Sequence, residues 1–198
     1  MNIKINGSGL LKGPKYLKVS LPKNLKKAWP DLKHYSSVSY NKRFNFSVDL
    51  VHLSPILNDL NIRKQEKILD IGAFKNEMVE TLQANGFYNA AGIDVNREIL
   101  RSRYGMKINF RDLRLNETYR VIYFNQVLGH FPGGIFNTQT RPSLQFFANK
   151  IYLHLLPKGY LIFCDFADNV LKFKECLLNI GFKQILEQHK FVRIFQKP

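Results

Sequence analysis

The chain has 198 residues, 45% of them hydrophobic, and 30 Lys and Arg against 15 Asp and Glu, a formal net charge of +15. That length and apolar content exclude a disordered tail and suit one domain carrying a short extension. No apolar run reaches the roughly 18 residues of a membrane span, and the N-terminus has lysines without a continuous apolar segment, so neither a transmembrane helix nor a secretory leader is expected. Two cysteines, Cys164 and Cys176, make neither a disulfide framework nor a metal-ligand spacing; both read as core, and a reducing, cytoplasmic setting is expected. The excess of basic charge attracts polyanions: nucleic acid, an acidic membrane surface or acidic glycans.

Residues 1–46 read as a basic, largely irregular N-terminal extension. They hold ten Lys or Arg and a single acid, Asp31, and are punctuated by Pro14, Pro22 and Pro30. Helical periodicity is poor there. The aromatic residues interleaved with the lysines (Tyr16, Trp29, Tyr35, Tyr40) fit contact with RNA or another polyanion.

Residues 47–198 read as an α/β domain. "SVDLVHLSPILNDLN" puts apolar residues at 48, 50, 51, 53, 56, 57 and 60, one face of a helix that Ser47 can cap and Pro55 can kink. Then strands and helices alternate: strand "KILDIG", helix "NEMVETLQANG", strand "AAGIDV", helix "NREILRSRYG" ending at Gly105, strand "KINFRDL", strand "YRVIYFNQVL", helix "PSLQFFANKIYLHLL", strand "GYLIFCDF", helix "NVLKFKECLLNI", and two alternating strands, "FKQILEQ" and "KFVRIFQ". This order predicts a doubly wound, mostly parallel seven-stranded sheet closed by a C-terminal antiparallel hairpin.

In such sheets ligands bind beyond the carboxyl ends of the strands, where the strand order reverses. The first strand leaves through Asp70, Gly72 and Ala73; a glycine there permits a tight turn and close approach of a ligand. The second strand ends in Asp94, whose carboxylate can accept from two ribose hydroxyls. The third ends at Asp112, within reach of an adenine amino group, and the fourth at Asn125 and Gln126.

These pieces together resemble the class I S-adenosylmethionine-dependent methyltransferases. The matching segments are "ILDIGA", "GIDVN", "FRDLRL", "YRVIYFNQVLGHFP", "LLPKGYLIF" and the closing "GFKQILEQHKFVRIFQKP". The resemblance implies S-adenosylmethionine as cofactor. It implies Asp70 orienting the loop or meeting the methionine amino group, and Gly72 with Ala73 lying against the methionine part. Asp94, with Val95 beside it, would hold the ribose, Asp112 and Leu113 would border the adenine, and Asn125 would face the transferred methyl. The family's acid-x-Gly-x-Gly-x-Gly pattern is broken here, with Phe74 and Asn76 at the second and third glycine positions, and Gly129 stands where many members have an acid.

His130, just past the fourth strand, is the candidate general base, since an imidazole titrating near 6.5 can take a proton at neutral pH. His154, inside an apolar helix, reads as structural. The following loop, "HFPGGIFNTQTRPS", offers Phe131, Phe136 and Arg141 to an acceptor. The expected activity is methyl transfer to a small-molecule, lipid or sugar acceptor. The alternatives are an RNA methyltransferase and an inactive methyltransferase-like scaffold that binds nucleic acid or protein. A nicotinamide enzyme is disfavoured by the lack of Gly-x-Gly-x-x-Gly.

Overall fold

The structure, a computed structural model, describes residues 53–54, 56–114, 116–131, 143–165, 169–186 and 192–198. The basic extension, its expected boundary at residue 46, Pro55, Phe136 and Arg141 lie outside them. The strands are β1 (Ile68–Ile71), β2 (Ala90–Asp94), β3 (Gly105–Lys107), β4 (Tyr119–Asn125), β5 (Leu155–Cys164), β6 (Lys183–Leu186) and β7 (Val192–Gln196). They form one seven-stranded sheet in the order β3-β2-β1-β4-β5-β7-β6. The first five are parallel; β7 runs antiparallel to both β5 and β6. This is the expected architecture, a mostly parallel sheet with an antiparallel C-terminal hairpin.

Helices α1 (Glu77–Ala84), α2 (Leu144–His154) and α3 (Asn169–Asn179) cover the sheet. Successive strand residues face opposite sides, so each central strand must be apolar on both. Ile68, Val121, Tyr123, Ile162 and Ile194 join one core with Met78, Val79 and Leu82 of α1, together with Leu53, Ile56, Leu57 and Leu60 from the helical turn before β1. Leu69, Ile122, Phe124, Phe163 and Phe195 join the other with Phe147 and Ile151 of α2 and Phe173 and Leu177 of α3. Phe124 sits at the centre of that second core, stacked on Phe163 at 4.9 Å between ring centroids and met edge-on by Phe173 at 5.8 Å. Cys164 is buried in β5, and Cys176 is half-buried against the same core. Among the described residues no helix is long and apolar enough to cross a membrane.

Three expected elements change. The helix anticipated over "NREILRSRYG" is only a 3-10 turn, Arg97–Arg101, and Gly105 opens β3 instead of ending a helix. The cause is local. Asn96 caps the turn by accepting from the Glu98 N–H, Ser102 is already extended, and Gly105 presses so closely on Ile99 that a Cβ there would lie 2.2 Å from the Ile99 carbonyl oxygen. The strand anticipated over "KINFRDL" ends at Lys107, and Phe110–Asp112 forms a second 3-10 turn. Helix α2 stops at His154, two residues early, because Pro157 disfavours helical backbone before it.

Candidate active site

Strand order reverses between β1 and β4, and the carboxyl ends of β1, β2 and β4 carry most of the nominated residues. Gly72 leaves β1 with φ +75°, and its N–H and that of Ala73 both donate to the Ile93 carbonyl, at 2.9 and 3.1 Å. A Cβ on Gly72 would meet Val127 Cγ2 at 2.8 Å, so the loops after β1 and β4 touch and glycine is what lets them.

The substituted glycine positions keep a glycine-like backbone. Phe74 has φ +45° and Asn76 φ +67°, so all three positions of the family pattern, 72, 74 and 76, are left-handed. Asparagine tolerates this conformation; for phenylalanine it costs about 1–2 kcal/mol. Strain of this kind persists where surrounding bonds over-determine the loop. Here they do. The Phe74 N–H donates to Asp94 Oδ2 at 2.8 Å. Asn76 is fully buried, and its Nδ2 donates to Ser102 Oγ at 2.9 Å. It fits only because residue 92 is glycine: a Cβ there would lie 1.8 Å from Asn76 Oδ1. The Phe74 ring is 45% exposed and does not enter either core. Its bulk is therefore turned away from the packed interior of the loop.

Asp94 ends β2, half-buried, with Oδ2 taking the Phe74 N–H and Oδ1 taking the Asn96 N–H at 2.7 Å. Each oxygen keeps a second lone pair for a ligand. Val95 beside it is exposed. Asp70 is buried in β1, and burial, reinforced by the nearby Asp94 charge, pushes its carboxyl well above the usual range. Asn125 ends β4 with its Oδ1 buried and without a hydrogen-bond partner among the described residues. A buried acceptor left unmatched by protein is the kind of atom that a ligand donor satisfies.

Glu77, in the first turn of α1 after this loop, is raised to about 7 by burial and secondarily by Glu80. Between its ordinary value and about 7 the folded state holds more protons than the unfolded one, so stability declines as pH rises across that window. Thermal melting of the free protein is expected to fall between pH 5 and pH 8, and Glu77→Gln to flatten that decline; an unchanged slope in the variant would assign the effect elsewhere.

Past β4 the chain turns sharply. Gln126 has φ +54°, its N–H bonds the Cys164 carbonyl at 2.9 Å, and a 3-10 turn over Leu128–His130 follows. Asp165, buried at the end of β5, accepts the Leu128 N–H at 2.7 Å, and Asn169 Nδ2 donates to the Leu128 carbonyl at 3.2 Å. These contacts fix the turn that carries the half-buried His130. Gln126 stands where the sequence put it, at the end of the fourth strand, whereas Asp165 and Asn169 carry no signal that the sequence reading used. The acid closing "IFCD" was the available signal, in the same strand-end position as Asp70 and Asp94.

Two nominees sit deeper than an open binding surface would require. Phe131 is 6% exposed and packs on Phe147 at 4.7 Å, so it belongs to the core and not to an accessible acceptor wall; the chain has not yet left the α2 face at that point. Leu113 is likewise buried in the same core. Asp112 is exposed, in the turn after β3 and not at a strand end. His154 is fully buried, with Nδ1 donating to the Glu117 carbonyl at 2.7 Å, the structural role expected of it.

The fold recurs in solved methyltransferases. The N-methyltransferase NodS from Bradyrhizobium japonicum, solved with S-adenosyl-L-homocysteine, superposes with a TM-score of 0.58 at 14% identity, over 86% of this chain and 98% of that one. DesVI from Streptomyces venezuelae gives 0.59 at 12% identity, over 85% and 98%. The magnesium protoporphyrin IX methyltransferase ChlM from Synechocystis, solved with bound S-adenosylmethionine, gives 0.56 at 13% identity, over 87% and 90%. Identities this low speak to the shared fold alone. No curated protein matches the sequence significantly. A family model described as a methyltransferase domain matches residues 41–196, most of the chain. Taken with the strand order, that match places the chain in the class I S-adenosylmethionine-dependent methyltransferase family.

Proposed function

We propose that the chain transfers the methyl group of S-adenosylmethionine to a nucleophile on a small-molecule, lipid or sugar acceptor. The observation that carries this reading is the turn after β4, secured by Asp165 and Asn169, which carries His130 just past the strand that lies where strand order reverses. One of the similar structures is a methyltransferase of magnesium protoporphyrin IX, a small molecule, and another is an N-methyltransferase.

The donor set suits the cofactor. Asn125 Oδ1, a buried acceptor without a partner among the described residues, and the buried Asp70 suit the ammonium of the methionine part. Gly72 and Ala73 would lie along that part, and Asp94 would accept from the ribose hydroxyls, with Val95 alongside. Asp112 and Leu113 would border the adenine. When bound, the cofactor supplies an electrophilic methyl on a sulfonium. The protein aligns the nucleophile with it, and placement alone supplies much of the rate. His130 would accept the proton of an acceptor N–H or O–H that is still protonated at neutral pH.

A second reading is favoured by one observation: Arg97, Arg101, Arg103, Lys107, Arg111 and Arg114 are all exposed along the segment around edge strand β3. RNA is the acceptor such a surface would serve. Transfer of labelled methyl groups to a panel of amine, hydroxyl and carboxyl small molecules, against transfer to RNA, separates the two. RNA binding that weakens steeply with salt supports the second reading. With an acceptor in hand, His130→Ala is expected to lower kcat about 100-fold or more with little change in the cofactor KM. An unchanged kcat removes His130 from the chemistry.

A further inference from the structure

One face of α2 is spent on the turn after β3 and the segment leading from it to β4. Phe147, Lys150 and His154 are spaced by three and four residues and so share that face. Phe147 meets the Phe110 ring edge-on at 5.4 Å between centroids. His154 lies 5.8 Å from the same ring and bonds the Glu117 carbonyl. Between them the Lys150 ammonium donates to the carbonyls of Arg111 and Leu113, the latter at 3.2 Å. Those two carbonyls flank Asp112. The turn's other bonds are its own: Asn109 Oδ1 accepts the Arg111 N–H at 3.1 Å, and the Asp112 N–H returns to the Asn109 carbonyl at 2.8 Å. Lys150 is therefore what ties this turn to the α/β body by hydrogen bonds from outside it, among the described residues.

We propose that Lys150 is a positioning residue that sets how the protein recognises the adenine of its cofactor, by holding the two peptide carbonyls on either side of Asp112. This deepens the reading above and rests on its placement of the adenine at Asp112 and Leu113. A lysine only 9% exposed is an expensive way to fill space on a helix. Methionine would fill the same volume without a charge to desolvate. What methionine lacks is a donor. Without it both carbonyls lose their partner, and the short 3-10 turn, held otherwise by its own bonds and the Phe110 ring, is free to rotate Asp112 away. Burial lowers the Lys150 pKa while the Asp112 charge opposes the shift, as expected of a cation close to that carboxylate.

The test compares two ligands that differ at the purine 6-position, S-adenosylhomocysteine and S-inosylhomocysteine, in which an oxo group replaces the amino group and N1 carries a proton, by calorimetric titration of the full chain. The wild type is expected to prefer the adenine ligand about tenfold or more, the size of effect when a site built to hydrogen-bond a group meets an analogue lacking it. Asp112→Ala is expected to lower that preference. Lys150→Met is expected to bring it within about twofold of the Asp112→Ala value, at temperatures well below its own melting point. If Lys150→Met does not fold, Lys150→Leu, which likewise removes the charge and leaves no donor, decides on the same ratio. A folded Lys150 variant with the wild-type ratio overturns the proposal and leaves the lysine a packing residue. A wild type that binds both ligands equally, with Asp112→Ala unchanged, overturns it differently, by removing the adenine from Asp112. A wild type that binds neither ligand overturns it together with the cofactor reading.

Discussion

Gly92→Ala is expected to destabilise the protein by about 3 kcal/mol or more, the top of the range for overpacking. The added methyl would lie 1.8 Å from Asn76 Oδ1 and 2.8 Å from the Ala73 Cβ. Neither neighbour can withdraw. Asn76 is buried in a left-handed conformation with its amide on Ser102, and Ala73 is pinned by its N–H to the Ile93 carbonyl. In a domain of this size the loss corresponds to a fall in Tm of about 6–12 °C. The variant should also weaken cofactor binding, because the loop that must shift is the loop that faces the ligand. Removing the obstruction gives a sharper reading. Asn76→Ala alone costs the Ser102 hydrogen bond, about 1 kcal/mol. The double variant should be less destabilised than the sum of the two, by about 1–3 kcal/mol. Strict additivity would mean that Asn76 and Gly92 are not the lock-and-key pair described here.

Asp94→Ala is expected to reduce affinity for S-adenosylhomocysteine about 100-fold or more. Hydrogen bonds to a charged acceptor are worth about 1.5–3 kcal/mol each, and the carboxylate is assigned two ribose hydroxyls. It also accepts the Phe74 and Asn96 N–H groups, so its removal loosens the left-handed loop as well as the ribose contact. Asp94→Asn, which keeps the shape and one acceptor oxygen, should fall between the wild type and Asp94→Ala. Calorimetric titration measures both. Equal affinity in Asp94→Ala and wild type would move the ribose elsewhere.

What could be read from the sequence follows a physical division. The strands of the central sheet are buried on both faces, so their apolar runs announce them without reference to anything distant, and Asp70, Gly72 and Asp94 follow as the residues that end those runs. The turn after β3 shows where this fails. "KINFRDL" has the composition of a strand, but Asn109 caps a 3-10 turn and Lys150, about forty residues later, holds it, and no local pattern encodes that partnership. The missing helix over 96–105 has a local cause instead: its periodicity is real, but Asn96 caps a short turn and Gly105 presses on Ile99. Asp165 and Asn169 were missed because their role, securing the turn that carries His130, exists only once β5 lies beside β4.

The substituted glycine motif is the most instructive case. Phe74 and Asn76 look like the loss of a cofactor loop. The backbone keeps the left-handed turns at both positions, and the compensation is spread over Gly92, Ser102 and Asp94, none adjacent in sequence to the motif. A pattern of glycines records one way to make that loop, and this chain makes it another way.

Calorimetric titration of the full chain with S-adenosylhomocysteine decides whether this loop still holds S-adenosylmethionine. Saturable binding at a single site per chain, with an affinity in the micromolar range, is expected. No heat from a protein that melts cooperatively would contradict it, and would mean that Phe74 and Asn76 preserve the shape of the loop without its ligand.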